Sequence, residues 1–244
     1  MEEIVYHTNF AVEDSYWWFT ARNLIFQKII SKKCHINKNE DVLDVGCGTG
    51  GVLKFLSASY NMIGLDMSSI ALDYCRKRGL VRLYNCSLSE FDSKDINLKA
   101  ITFFDVIEHI DDDVDVVKSA YNLLPKGAFL IASVPAYQWL WSKHDEMHQH
   151  KRRYSKKSFS DLITGSGFSI DYISYFNSIL MIPAVLKRFL ENVTGSEKKI
   201  DQPVDKVPEI LNKLFHYLFA AERFILPALR LPFGLSIIVV AQKK

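Results

Sequence analysis

From Glu40 onward the chain reads as a doubly wound α/β fold, a mostly parallel sheet with helices on both faces. Short apolar runs alternate with amphipathic segments, a pattern that calls for parallel strands joined by right-handed crossovers. The first run, DVLDVGCGTG from Asp41 to Gly50, passes from a strand apolar on both faces directly into a glycine-rich loop. The second, NMIGLDM, ends on an acidic residue, Asp66. Strands are expected at Asp41–Gly46, Met62–Asp66, Val81–Asn85, Ala100–Phe104, Ala128–Val134, Ile170–Phe176 and Ser236–Ala241.

Ahead of this core, EDSYWWFTARNLIFQKIISK carries apolar residues at helical spacing, and Asp14 or Ser15 is the expected cap of one amphipathic helix. Trp18 and Arg22 share a face at i, i+4. Two readings stay open for that face: core packing with a surface arginine, or an arginine turned toward a ligand. In the core, Val42, Leu43 and Val45 suit a strand buried on both faces. Helices follow near Gly50–Ser57, Ser68–Arg78, Val114–Leu124 and Lys156–Thr164. Ser68-Ser69 supplies an N-cap for the second of these, and Pro125-Lys126-Gly127 ends the third.

Gly46, Gly48 and Gly50 alternate, each removing a Cβ where backbone turns tightly or approaches a ligand. A dinucleotide loop is spaced Gly-x-Gly-x-x-Gly, so a dehydrogenase that uses NAD is disfavoured. No lysine follows to cradle a phosphate. Asp44 stands ahead of the glycines, and the Asp66 carboxylate is positioned to take both hydroxyls of a ribose. Together these residues resemble motif I and the acidic second-strand end of the class I S-adenosylmethionine-dependent methyltransferases, over roughly Glu40 to Lys157. The resemblance implies a Rossmann-like seven-stranded sheet with its last strand antiparallel, and S-adenosyl-L-methionine as cofactor. It implies cofactor contacts from Asp44, Gly46, Cys47, Gly48 and Gly50, from Asp66 and Met67, from Ser87 and Leu88, and from Asp105 and Val106. The pattern Trp-Phe-x-x-Arg before the loop is similar to a lid helix in a subset of the family, which adds Trp18 and Arg22, the arginine meeting the cofactor carboxylate. One departure concerns adenine: Asn85, Cys86, Ser87 and Leu88 stand where an acidic side chain is common. Backbone groups, the Ser87 hydroxyl and apolar contact are left to hold the base.

Methyl transfer from a sulfonium is an in-line displacement, so the protein must align the reactants and handle the proton of a hydroxyl nucleophile. Asp105, Glu108 and His109 converge after the fourth strand, at the sheet end where open α/β folds bind ligands. The plain alternative is that Glu108 and His109 only cap and brace a helix. After the fifth strand, SVPAYQWLWSKHDEMHQHKRRYS adds His144, His148 and His150. The acidic/His pair with a later histidine resembles the ubiquinone-pathway O-methyltransferases and the small-RNA-end 2′-O-methyltransferases, in which Glu-x-x-Glu-His and a downstream His hold a divalent metal. By that resemblance the ligands are Asp105, Glu108, His109 and His150, with His148 the substitute for the last. Asp105 is a shorter carboxylate than the family's first glutamate. Mixed oxygen and nitrogen donors suit Mg, Mn, Fe or Zn. Without a metal, His109 or His150 becomes the general base beside Glu108. The strip His150-Lys151-Arg152-Arg153-Tyr154, with Lys156 and Lys157, reads either as a grip for a phosphate or carboxylate or as solvated surface.

Thirty basic against twenty-eight acidic residues leave a net charge of +2, so no global field draws the chain to DNA or to a membrane. Four cysteines without CxxC spacing argue for reduced thiols rather than a disulfide framework or zinc knuckle. The opening residues lack the pattern of a signal peptide, and no uncharged run reaches the ~18 to 20 residues of a span. A cytoplasmic protein is expected, with peripheral membrane contact open to it. The division expected is a helical lid at 1–39, a core at 40–177 and 234–244, and a helical insertion at 178–233 between the last two strands. In the insertion, SILMIPAVLKRFLEN and PEILNKLFHYLFAAERFIL read as helices around the polar stretch NVTGSEKKIDQPVDK. Their apolar faces can pack on the core, form a homodimer, line a greasy acceptor pocket or meet a membrane, where Lys187, Arg188, Arg223 and Arg230 would face headgroups. The expected function is O-methylation of a small or lipid-linked hydroxyl compound. The alternatives are an RNA 3′-end 2′-O-methyltransferase, against which the low net charge counts, and a non-catalytic cofactor-binding scaffold.

Overall fold

The computed structural model of the chain describes residues 3–183, 185 and 207–244. The sheet has seven strands: β1 (Asp41–Val45), β2 (Asn61–Leu65), β3 (Leu83–Tyr84), β4 (Leu98–Phe104), β5 (Phe129–Pro135), β6 (Ser169–Phe176) and β7 (Ser236–Gln242). Their spatial order is β3-β2-β1-β4-β5-β7-β6, with β1 to β5 parallel and β7 antiparallel to both of its neighbours. This is the expected doubly wound, Rossmann-like arrangement. Strand order reverses between β1 and β4, so a crevice opens at their C-terminal ends. Alternate residues of β1 feed two cores: Leu43 and Val45 join one face of the sheet, and Val42 the other.

Helices α1 (Glu3–Val12), α2 (Trp17–Lys33), α3 (Gly51–Ser57), α4 (Ser69–Lys77), α5 (Asp113–Leu123), α6 (Lys143–Met147), α7 (Lys156–Gly165) and α8 (Glu209–Ala220) complete the described fold. The Ser68 hydroxyl accepts from the Ala71 N–H, the expected cap of α4. The third strand, expected over five residues, is reduced to two at the sheet edge, where Val81 is 87% exposed.

The N-terminal region holds two helices where one was expected. The N-cap of α2 is Tyr16, whose side chain makes no capping bond. Asn212 on α8 takes that role from far along the chain: its Oδ1 accepts from the Trp17 N–H at 2.8 Å and its Nδ2 donates to the Ser15 carbonyl at 3.0 Å. Phe215 and Phe219 of α8 meet the Trp17 ring edge-on at 5.6 and 6.0 Å, and Thr20 bonds His216 at 2.8 Å. Behind α8, the buried Glu222 carboxylate accepts the N–H groups of Asn177, Ser178 and Ile179, tying the end of the insertion to its start. This half of the insertion therefore packs one face on α2. Most of the first expected insertion helix, the polar stretch after it, and Lys187 and Arg188 lie outside the described residues. Among the described residues, no helix is long and apolar enough to cross a membrane.

Candidate functional site

The loop after β1 brings backbone to the crevice. A Cβ at Gly46 would lie 2.8 Å from both methyls of Val106, so glycine lets this loop press against the one after β4. Gly48 has φ +54°, and a Cβ there would meet nothing within 4 Å. Its N–H donates to Asp66 Oδ2 at 2.9 Å, while the Ser68 N–H donates to Oδ1 at 2.8 Å. Burial raises the Asp66 carboxyl above its ordinary range, and these two N–H bonds oppose the shift. Asp44 is buried in β1 and accepts from the Thr102 hydroxyl at 2.6 Å. Burial pushes its carboxyl up to about 7, against the Thr102 bond and the Arg22 charge.

The other expected cofactor residues are spread around this crevice. Cys47 turns its thiol inward against Gly64 and Cys75, which keeps the thiol protonated well above its usual range. Met67 is 78% exposed at the rim, and Leu88 is buried. The Ser87 hydroxyl donates to Glu90 at 2.7 Å, leaving its oxygen only as an acceptor for a base. Arg78 carried no signal in the sequence. Its guanidinium bonds the Thr49 carbonyl (2.8 Å), Glu13 (3.0 Å) and Asp14 (2.6 Å), and Thr49 donates to Glu13 at 2.6 Å. The start of the chain is thereby fastened onto the glycine-rich loop.

At the end of β4, Asp105 adopts a left-handed backbone, φ 57°, a region that aspartate tolerates better than most residues. Its Oδ1 accepts from the Ser133 hydroxyl at 2.9 Å and its Oδ2 from Arg22. The Arg22 guanidinium is buried and stacks over Trp18, 4.1 Å from the ring centroid, and its bond to Asp105 ties α2 to the end of β4. Its Nε is buried with no hydrogen-bond partner among the described residues.

One turn of 3-10 helix, Ile107–His109, carries the next two groups. Glu108 is fully buried, and neither carboxylate oxygen has a hydrogen-bond partner among the described residues. Burial, then the neighbouring Asp105, raises its carboxyl well above the ordinary range. The His109 imidazole is pushed down to about 3 by burial, followed by His150 and His148, while its hydrogen bond to the Gln149 backbone opposes the shift. His150 stands edge-on to it, ring centroids 4.7 Å apart. One donor atom from each of Glu108, His109 and His150 falls within 4.8 Å of the others, a spacing compatible with a metal ion.

Two expectations are corrected here. Asp105, expected among the ligands, is not in this cluster of mutually close donors; its oxygens accept from Arg22 and Ser133. His148 is outside it too, its Nδ1 facing the His144 carbonyl at 2.9 Å. In the basic strip, Arg153 is held by the buried Asp145 and Arg152 pairs with Asp113, while Lys151, beside the exposed Asp111, and Lys157 remain exposed, so both readings of the strip stay open. The helix-capping alternative for Glu108 also fails, since Asp112 caps α5 by accepting from the Asp115 N–H. Asp145, which the sequence did not single out, is fully buried and accepts from His150 Nδ1 at 2.8 Å.

Residues 18–173 match the family model of a methyltransferase domain. A probable S-adenosylmethionine-dependent methyltransferase of Mycolicibacterium smegmatis is 25% identical over 163 residues, 65% of this chain and 62% of that protein. A ubiquinone biosynthesis O-methyltransferase of Actinobacillus pleuropneumoniae is 30% identical over 125 residues, 43% of this chain and 50% of that one. The chain thus spans less than two thirds of the length of either relative. Among solved structures, a possible histamine N-methyltransferase of Thermotoga maritima aligns over 100% of both chains with a TM-score of 0.58 at 18% identity, a likeness of fold alone.

Proposed function

This chain belongs to the class I S-adenosylmethionine-dependent methyltransferases, and within that family we propose that it methylates an oxygen of a small or lipid-linked hydroxyl acceptor at a site assisted by a divalent metal. The observation that carries this reading is the buried Glu108 carboxylate, without a hydrogen-bond partner, beside His109 and His150. A buried polar group left unpaired costs about 1–3 kcal/mol, and more when charged, so an unpaired carboxyl that brings one oxygen close to a nitrogen of each of two imidazoles fits a cation. Glu108, His109 and His150 would hold the ion, which would supply Lewis acidity and lower the pKa of an acceptor hydroxyl. Burial lowers the His109 imidazole's pKa, so the ring is neutral at working pH and has a lone pair to offer a cation.

The cofactor contacts follow from the crevice. Open space at Gly48 fits close approach of a ligand to the loop. Each Asp66 oxygen accepts one N–H and keeps lone-pair capacity for a ribose hydroxyl. Arg22, which pairs with Asp105 at the end of β4, is the residue assigned to the carboxylate of the cofactor's amino-acid end. Excluding water around these groups strengthens each contact.

The lipid-linked form of the acceptor draws support from the outward face of α8. Ile210 is 82% exposed and Tyr217 70%; the turn after the helix adds Phe224 at 69%, with Arg223 beside it and Arg230 further along the sequence. Vesicle flotation tests that face: binding to anionic vesicles supports membrane contact, whereas concentration-dependent dimerisation without flotation would assign it to a second copy.

Calorimetric titration of metal-stripped protein with S-adenosylhomocysteine, repeated with Mg, Mn and Zn, tests the core of the proposal. Micromolar or tighter binding, with a separate heat for one metal that disappears in His109→Ala, is the expected result. Cofactor binding with no metal heat would remove the metal and leave a general-base site. No cofactor binding would remove the assignment of the crevice.

A further inference from the structure

We propose that Asp145 is the positioning residue of this site: it fixes His150 as the Nδ1–H tautomer, so that Nε2 keeps its lone pair for the cation or proton handled with Glu108 and His109. The consequence for a metal rests on the metal-assisted reading above, whereas the tautomer is independent of it.

Asp145 lies on α6 and is fully buried. Four donors besides His150 converge on it: the Ser142 N–H (2.8 Å) and hydroxyl (3.0 Å), and Arg153 through Nε (2.7 Å) and Nη2 (3.0 Å). Arginine stays protonated in proteins, and its two-pronged grip matches an ionised carboxylate. An ionised carboxylate only accepts hydrogen bonds. The 2.8 Å contact between His150 Nδ1 and Asp145 Oδ1 therefore requires the proton on Nδ1. A neutral imidazole carries one such proton, which leaves Nε2 as the acceptor.

The same loop holds the second imidazole. His109 bonds the Gln149 backbone through its ring, and Gln149 has φ 57°, an uncommon region for a residue other than glycine. The Lys151 N–H donates to the Glu108 carbonyl at 2.7 Å, stapling this loop to the 3-10 turn that carries Glu108 and His109. Each imidazole thus has one nitrogen engaged by the loop, and each also offers a ring nitrogen to the cluster with Glu108. Carboxylate-oriented histidines of this kind hold ligand lone pairs ready, and loss of the orienting group typically lowers metal affinity 10- to 100-fold.

Long-range 1H–15N correlation of the histidine side chains at neutral pH, on metal-free protein with His150 assigned through His150→Gln, reads the tautomer directly. The expected pattern is a protonated Nδ1 and a bare Nε2 in the wild type, and a mixed or reversed pattern in Asp145→Asn. In the same variant, Mn or Zn affinity measured by calorimetry should fall about 10- to 100-fold, with S-adenosylhomocysteine affinity within two-fold as the control for an intact fold. Should Asp145→Asn fail to fold because Arg153 is left without its counter-charge, Asp145→Asn/Arg153→Gln removes both charges and carries the same comparison. A wild-type His150 protonated on Nε2, or a variant with unchanged tautomer and metal affinity, overturns the proposal. A wild type that shows the Nδ1–H tautomer but takes up no metal would sink the metal-assisted reading and leave the role of Asp145 standing.

Discussion

Replacing Gly48 by alanine isolates the space a cofactor would take, because Gly79 offers a matched control. Both glycines have positive φ, +54° and +82°, and at both an added Cβ meets nothing within 4 Å. A side chain in the left-handed region costs roughly 1–2 kcal/mol, partly offset by the roughly 0.4–1 kcal/mol that losing glycine's freedom removes from the unfolded chain. Each variant should therefore lose about 0.5–1 kcal/mol, a drop of roughly 1–4 °C in Tm for a chain of this size. Binding should separate them. The new methyl reaches about 1.5 Å beyond the Cα, so a ligand packed on the Gly48 backbone must retreat by about that distance. Overpacking of this kind costs about 1–3 kcal/mol, or roughly a 5- to 150-fold rise in Kd. Calorimetry with S-adenosylhomocysteine should show that rise for Gly48→Ala and none for Gly79→Ala, at similar Tm. Equal affinities in the two variants would mean that the loop does not face the cofactor.

The remaining expectations are briefer. Gly46→Ala drives a Cβ to 2.8 Å from two Val106 methyls at φ +68°, so urea denaturation should register a loss of about 2–4 kcal/mol, well beyond that of Gly79→Ala. His109→Ala should keep S-adenosylhomocysteine affinity within a few-fold while turnover of a hydroxyl acceptor falls by ~10² or more; parallel loss of both would mark a structural residue. The carboxyl of Asp44, raised by burial to about 7 from 3.8, favours the folded state while protonated: its contribution is full below pH about 4 and is lost as pH rises through about 7. Wild type should accordingly lose on the order of 2–3 kcal/mol more than Asp44→Asn between pH 5 and 8 by urea denaturation, and parallel profiles would count against a protonated Asp44. Asn212→Ala removes the cap of α2 and should lower stability by about 1 kcal/mol while leaving cofactor affinity unchanged, a result read from paired thermal and calorimetric scans.

What the sequence determined by itself was local or periodic. The apolar run Asp41–Val45 ahead of three alternating glycines, and the acidic end of the second run at Asp66, specify backbone that can form only a buried strand and a tight loop. Alternation of strands and helices then leaves few topologies, and the observed order is among them. Glu108, His109 and His150 were legible because spacing along a turn and a dense run of histidines survive as patterns. What only the tertiary structure decided was which charged and polar groups meet. Asp105 could have ligated a metal but pairs with Arg22 and Ser133, and Arg153 could have gripped a phosphate but holds Asp145. Asn212 caps a helix that starts at Trp17, and Arg78 joins Thr49 to Glu13. No period in the chain encodes these pairings. A side-chain donor has many acceptors of the right chemistry along 244 residues, and packing of the apolar faces decides which of them comes within 3 Å.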